Sequence, residues 1–224
     1  MMNKNIKSFV IRNGRCGAKQ NLAYLYGLPK FGISLVEKPW NFQAIFGRNA
    51  PTVVEIGFGM GYSLIEMAQA SPQTNFIGIE VHKPGVGQIL LDMMRLNLTN
   101  IRIVPYDAMR VFRDYIPAES LEGIQIYFPD PWPKKRHHKR RIVQLNFVQL
   151  LASALKPQGY LHCATDWAPY AEHMLQHIAP CAALENCSST QTYVTKPNWR
   201  ATTKFEVRGQ KLGHEVFDLL YRKR

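Results

Sequence analysis

The chain has 224 residues, enough for one sizeable α/β domain with a core of its own. Hydrophobic residues make up 46% and charged residues 20%, ordinary values for a globular protein, and no apolar run approaches the roughly 20 residues of a membrane span. Lys and Arg number 28 against 16 acids, so the net charge of +12 favours a polyanionic partner, and no Lys-rich amphipathic helix supports a membrane surface instead.

Residues 1–20 are polar and basic (Lys4, Lys7, Arg12, Arg15, Lys19) and read as an arm; Lys4 and Lys7 also break any signal-peptide apolar region. Residues 21–50 carry Gly27, Pro29, Gly32 and Pro39, breakers expected to cap one end of the domain. From Pro51 the pattern alternates. Strands are expected over 52–56, 75–80, 101–104, 124–128 and 160–164. Helices are expected over 62–70, 84–97, 111–115, 142–155 and 169–178. A short strand at Tyr193-Val194 and a last strand over 215–221 follow, and 196–200 reads as either a lid or a packed turn. This βαβ rhythm predicts an α/β fold, doubly wound about a mainly parallel sheet, with ligands at the edge where the strands end. Cys16, Cys163, Cys181 and Cys187 form no CxxC pair, so a reduced, cytoplasmic chain without structural zinc is the simplest reading.

The chemistry-bearing residues fall at that edge. Gly57, Gly59 and Gly61 follow the first strand and open a helix. Glycine lets backbone turn tightly and approach a ligand. The spacing resembles a dinucleotide fingerprint, but its third glycine is one residue early. Glu55, just before the turn, would oppose a pyrophosphate there and would suit a cation, such as the ammonium of S-adenosylmethionine, either directly or through water. Glu80 ends the second strand, where a carboxylate accepts from ribose hydroxyls in either kind of cofactor. Asp107 follows the third strand and reads as a partner of the adenine amine, as a helix N-cap, or as both.

The fourth strand runs into Phe128-Pro129-Asp130-Pro131-Trp132, and six of the next eight residues from Lys134 to Arg141 are Lys or Arg. An acid and an indole beside a cationic strip suit a base and a phosphate backbone together. Trp132 either stacks on an extruded base or closes the loop as a packed indole. The strip is either a phosphate site or a solvated face. His137 and His138 have no acid or cysteine at ligand spacing, so no metal site is expected.

Taken together, Glu55 to Gly61, Gly78 to His82, Phe128 to Trp132 with Lys134 and Arg136 to Arg141, Thr165-Asp166-Trp167, and Thr203 to Gly209 resemble the bacterial tRNA (guanine-N7)-methyltransferase family in the same order over about residues 50–222. Lys7 to Arg15 resembles the family's basic arm, with departures at Ile11 and Cys16 to Ala18. The resemblance implies a Rossmann-like seven-stranded methyltransferase sheet with one antiparallel strand near the C-terminus. It implies methyl transfer from S-adenosyl-L-methionine to N7 of the variable-loop guanine of tRNA, by a chain that needs no protein partner and works as a monomer or homodimer. The cofactor contacts carry over to Glu55, Glu80, Asp107 and Asp130 beside the glycine turn. The substrate contacts carry over to Lys134, Asp166 and the segment Thr203, Lys204, Phe205, Glu206. Asp130 is expected to be the central catalytic residue. Arg136, His137, His138, Lys139, Arg140 and Arg141 are expected to meet RNA.

Overall fold

A computed structural model describes residues 7–10, 16–203, 206, 207, 213 and 215–224. Five strands run parallel: β1 (Thr52–Ile56), β2 (Asn75–Ile79), β3 (Ile101–Val104), β4 (Leu121–Tyr127) and β5 (Leu155–Thr165). A short β6 (Leu184–Asn186) and a final β7 (Phe217–Lys223) complete one sheet in the order β3-β2-β1-β4-β5-β7-β6. β7 is antiparallel to both of its neighbours. The order reverses at β1, so the edge beyond β1 and β4 is the crevice where such sheets bind ligands.

Alternation along the strands sorts the core into two layers. Val54, Ile56, Ile77, Ile124 and Leu161 pack with α5 (Ala108–Asp114), α6 (Leu145–Ala154) and α7 (Ala168–Ile178). Val53, Phe76, Ile101 and Ile103 pack with α1 (Ala18–Phe31), α3 (Tyr62–Ala70) and α4 (Lys83–Arg95). Each fully buried Leu, Ile or Phe in these layers contributes about 1.5–3 kcal/mol.

Several elements differ from expectation, and two differences bear on the packing. α1 runs straight through Gly27 and Pro29 and begins at Ala18, inside the stretch expected as an arm. Its stability comes from contact with α4: a Cβ on Gly27 would stand 3.2 Å from Leu90, and one on Gly87 only 2.5 Å from the Gln20 carbonyl. The missing side chains let the two helices approach, and tertiary packing outweighs weak propensity. The second difference is β5, which starts at Leu155, five residues before the expected strand over 160–164. The expected strand at Tyr193-Val194 is reduced to an isolated bridge of Val194 to Asp218, and the strand of this region is β6 instead. α2 (Phe42–Phe46) is capped by the Asn41 side chain, which accepts from Ala44 N at 3.0 Å.

Candidate active site

β1 ends at Ile56 and the chain turns at once. Gly57, Gly59 and Gly61 hold φ of 77°, 57° and 81°. Gly61 is the N-cap of α3, and a Cβ there would stand 2.6 Å from Ile89 of α4. At Gly59 a Cβ would meet nothing within 4 Å, so bare backbone borders open space. Glu80 reaches back across this turn. Its Oε2 accepts from Gly59 N at 2.9 Å, and its Oε1 accepts from Val81 N and His82 N at 2.6 and 2.9 Å. Three main-chain donors fix the carboxylate, which has about four acceptor positions and so retains one for an incoming hydroxyl. Asp107 caps α5, accepting from Met109 N at 3.0 Å. The cap reading of Asp107 therefore holds, and it places Tyr106 and Ala108 beside the turn. Gly57, Gly59, Glu80, Tyr106, Ala108, Phe128 and Asp130 line one pocket of about 220 Å³, together with Ser8 and Phe9 of the N-terminal segment.

Glu55 does not line it. Alternation sends Ile56 toward the pocket and the Glu55 side chain under α3, where only 2% of the residue is exposed. Ser63 Oγ donates to its Oε1 at 2.9 Å, and Oε2 has no hydrogen-bond partner among the described residues. Burial pushes its carboxyl up to about 7, the Ser63 bond pulls it down, and the Glu80 charge pushes it up. A direct contact from Glu55 to a ligand ammonium is thus not what this geometry offers.

Asp130 is exposed just beyond β4, in a turn bracketed by two aromatic residues in the left-handed region, Phe128 at φ 48° and Trp132 at φ 46°. For bulky residues this conformation costs about 1–3 kcal/mol each and persists only where surroundings impose it. Phe128 N donates to Ala164 O at 2.8 Å on one side. On the other, Arg141 Nε donates to Pro131 O at 2.9 Å. Arg141 also donates to His138 Nε2 at 3.2 Å and stacks 4.9 Å above Tyr170, and only 3% of the residue is exposed. The expectation that Arg141 meets RNA is therefore corrected: its guanidinium points inward and clamps the turn. Lys135 to Arg140 form a 3-10 helix that keeps Lys134, Lys135, Arg136 and Lys139 exposed. Desolvation and the flanking Arg136 and Arg140 charges hold His137 below the usual imidazole value, so it is neutral at pH 7. Trp132 is half-buried. Its indole donates to Ser8 O at 3.3 Å, and Arg140 stacks 5.0 Å over its ring.

Beyond β5, Thr165 Oγ1 accepts from Trp167 N at 3.2 Å, and Asp166 is half-buried on that turn. In the C-terminal segment, Thr203 Oγ1 accepts from Glu206 N at 3.1 Å and Glu206 Oε2 accepts from Thr203 N at 3.4 Å, a reciprocal capping box. Glu206 is 2% exposed and paired with Arg200 at 2.6 Å and Lys196 at 3.2 Å. Burial raises its carboxyl, but these cations outweigh it and hold it below the usual range. Glu206 is thus held as a counter-ion, and this geometry does not present its carboxylate to a base. Lys204 and Phe205 lie outside the described residues.

A family model described as "Putative methyltransferase" matches residues 49–219. The tRNA (guanine-N(7)-)-methyltransferase of Chromohalobacter salexigens is 50% identical over 97% of this chain and 89% of its own length. That of Legionella pneumophila is 47% identical over 100% of both. The chain belongs to the tRNA (guanine-N(7)-)-methyltransferase family. Its solved neighbours share the fold at low identity. The 16S rRNA methyltransferase KamB superposes with a TM-score of 0.62 at 14% identity, covering 81% of this chain and 92% of that one. A 16S rRNA (adenine(1408)-N(1))-methyltransferase from Catenulisporales acidiphilia gives 0.57 at 11%, covering 86% and 95%.

In this member of the tRNA (guanine-N7)-methyltransferase family, Gly57, Gly59, Glu80 and Asp130 converge on one pocket, and Asp107 adjoins it. Glu55, Arg141 and Glu206 stand behind it. Sequence reasoning missed Arg200, His162 and Asp218, all buried, with Arg200 and His162 each bonded to Asp218. One signal was available. Thr203-x-x-Glu206 is a capping-box pattern, which assigns Glu206 to the backbone before any base.

Proposed function

We infer that this chain transfers the methyl group of S-adenosyl-L-methionine to N7 of the variable-loop guanine of tRNA, in the cytoplasm. The observation that carries this reading is the shared pocket of the glycine turn, the Glu80 carboxylate and Asp130. Main chain left bare at Gly59 suits a ligand lying flat on the turn, and Glu80 keeps one acceptor position for a ribose hydroxyl, so the residues present fit this cofactor. When bound, S-adenosyl-L-methionine supplies an electrophilic methyl group whose carbon–sulfur bond breaks, with the electron pair kept by sulfur, as the carbon–nitrogen bond to N7 forms.

Guanine N7 carries a free lone pair, so no residue has to remove a proton to make the nucleophile. Positive charge arrives on the guanine instead, and the Asp130 carboxylate at the pocket wall stabilises it. Asp130 or Asp166 also accepts from the guanine N1 and N2 donors, which adenine lacks. Proximity and alignment supply most of the remaining acceleration. Lys134, Lys135, Arg136 and Lys139 are exposed beside Asp130 and suit the tRNA phosphates. Among the described residues no group of His, Cys, Asp and Glu is arranged for a metal, and no helix is long and apolar enough to cross a membrane.

The direct test is mass spectrometry of nucleosides from unmodified tRNA incubated with the protein and S-adenosyl-L-methionine. The expected result is 7-methylguanosine mapped to the variable loop. A methyl group on another base or another loop would overturn the assigned acceptor.

A further inference from the structure

Arg200 is among the largest fully buried side chains of the described residues, and it does not line the cofactor pocket. Three separate stretches of chain meet on it. Nη1 and Nη2 donate to Glu206 Oε2 and Oε1 at 2.6 and 3.1 Å. Nη2 also donates to Asp218 Oδ2 of β7 at 2.9 Å. Nε lies 2.6 Å from Asp218 Oδ1, yet too far off line to count as a hydrogen bond. The guanidinium carbon sits 5.8 Å from the ring centre of Phe128, the residue that opens the Asp130 turn.

The surrounding groups complete the set. Asp218 Oδ1 accepts from His162 Nε2 at 2.8 Å, so Nδ1 is the bare nitrogen and accepts from the Tyr127 hydroxyl at 3.0 Å. Burial holds His162 below the usual imidazole value despite Asp218, so the ring is neutral. Arg200 and Lys196 then balance Glu206 and Asp218, two cations against two carboxylates. A buried ion pair stabilises a fold no better than apolar packing of the same volume. What a planar guanidinium adds is direction, because its fork fixes two carboxylates at set angles.

We propose that Arg200 is a positioning residue for methyl transfer: it sets the Thr203–Glu206 segment against the Asp130 turn and so aligns the acceptor base with the methyl group. This rests on the methyl-transfer reading above. In this role Arg200 touches neither cofactor nor tRNA. It acts through Glu206 on one side and Phe128 on the other.

The fold offers a specific way to test this. Arg200, Gln125, Tyr160 and Trp199 contribute to the wall of a separate cavity of about 620 Å³. Truncating Arg200 joins the vacated space to that cavity and gives a small cation a path to the two carboxylates. The experiment compares the full-length wild type, Arg200→Ala and Arg200→Lys. Each is measured for 7-methylguanosine formation in tRNA and for S-adenosyl-L-methionine binding by calorimetry. Wild-type turnover tests the methyl-transfer reading by itself, so its failure is separable from failure of this proposal. For Arg200→Ala the expected result is unchanged cofactor affinity with kcat lowered on the order of 10²-fold, the cost of about 1 Å of misplacement. Millimolar guanidinium should restore part of that loss, and urea, its neutral analogue of the same shape, should not. Unchanged kcat, equal rescue by urea, or a parallel loss of cofactor binding would overturn the proposal. If Arg200→Ala does not fold, Arg200→Lys decides. One ammonium cannot hold both carboxylates, so a lowered kcat with intact cofactor affinity supports the role, and an unchanged kcat refutes it.

Discussion

The two sides of the pocket are built by different means. On the glycine side the donors are main-chain amides, Gly59 from the turn after β1 and Val81 and His82 just past β2, and all three point at Glu80. On the acceptor side the contacts are side-chain charges drawn from β5, β7 and the 196–206 segment. Short of proline, no substitution removes a main-chain donor, and such donors do not depend on the identity of the side chain that carries them. Side-chain ion pairs can be broken one partner at a time, leaving the other charge buried and costly. The glycine side should therefore tolerate change outside the turn itself, and the acceptor side should respond to single substitutions at a distance.

The largest expected effect lies where the two sides meet. Asp130→Ala should lower kcat by on the order of 10²–10³-fold and leave cooperative unfolding in place. Turnover close to wild type in a methyl-transfer assay would remove Asp130 from its central role. Next comes Glu55→Gln, which tests the side chain beneath the glycine turn. Its folded-state value of about 7 exceeds the ordinary carboxylate value of 4.5. The folded protein therefore keeps a proton that the unfolded chain releases, and stability falls as pH rises from about 4.5 to 7. At pH 8 the substitution should recover up to about 3 kcal/mol and flatten that slope, as read by thermal unfolding across pH. An equally steep slope in the variant would mean that another group carries it.

Arg141→Ala should destabilise the protein by about 1–3 kcal/mol through the unpaired Pro131 carbonyl. It should leave the salt dependence of tRNA binding unchanged, because its guanidinium is not presented to solvent. The smallest effect is expected from Arg136→Ala with Lys139→Ala. Stability should stay near wild type, and the slope of log affinity against log salt should fall by about 1–2. Should Arg141→Ala change that slope and the surface pair leave it intact, the division between clamp and phosphate surface would be reversed.

Legibility in the sequence followed the same division. β1, α3, β2 and β3 were readable within a residue or so, because each is short, strongly patterned and bounded by its own turn. The glycine turn, Glu80 and Asp130 were readable because strand ends are where α/β sheets bind ligands. α1 was not, since Gly27 and Pro29 read as breakers until α4 is known to lie against them. The inward turn of Arg141 was hidden for a different reason. A run of six cations looks uniformly solvated, and only the distance from Arg141 to Pro131 and Tyr170 separates it from its neighbours. The burial of Glu55 was hidden by parity: one residue along a strand reverses the face, and the charge argument had no way to know which face met the pocket.

β7 has a consequence for how the molecule comes into being. β6 borders the sheet only through β7, and the Asp218 that closes the buried charge cluster also sits on β7. A ribosome thus delivers β1 to β5 and α1 to α7 before the strand that seats β6 emerges. Until then His162 and Arg200 have no Asp218 to face, and the β5 edge stands open to other chains. The nascent protein passes through an interval in which the half that resembles a cofactor site is already made and the half that aligns a substrate is not. Capability in this fold arrives with the last strand, as a keystone rather than by degrees.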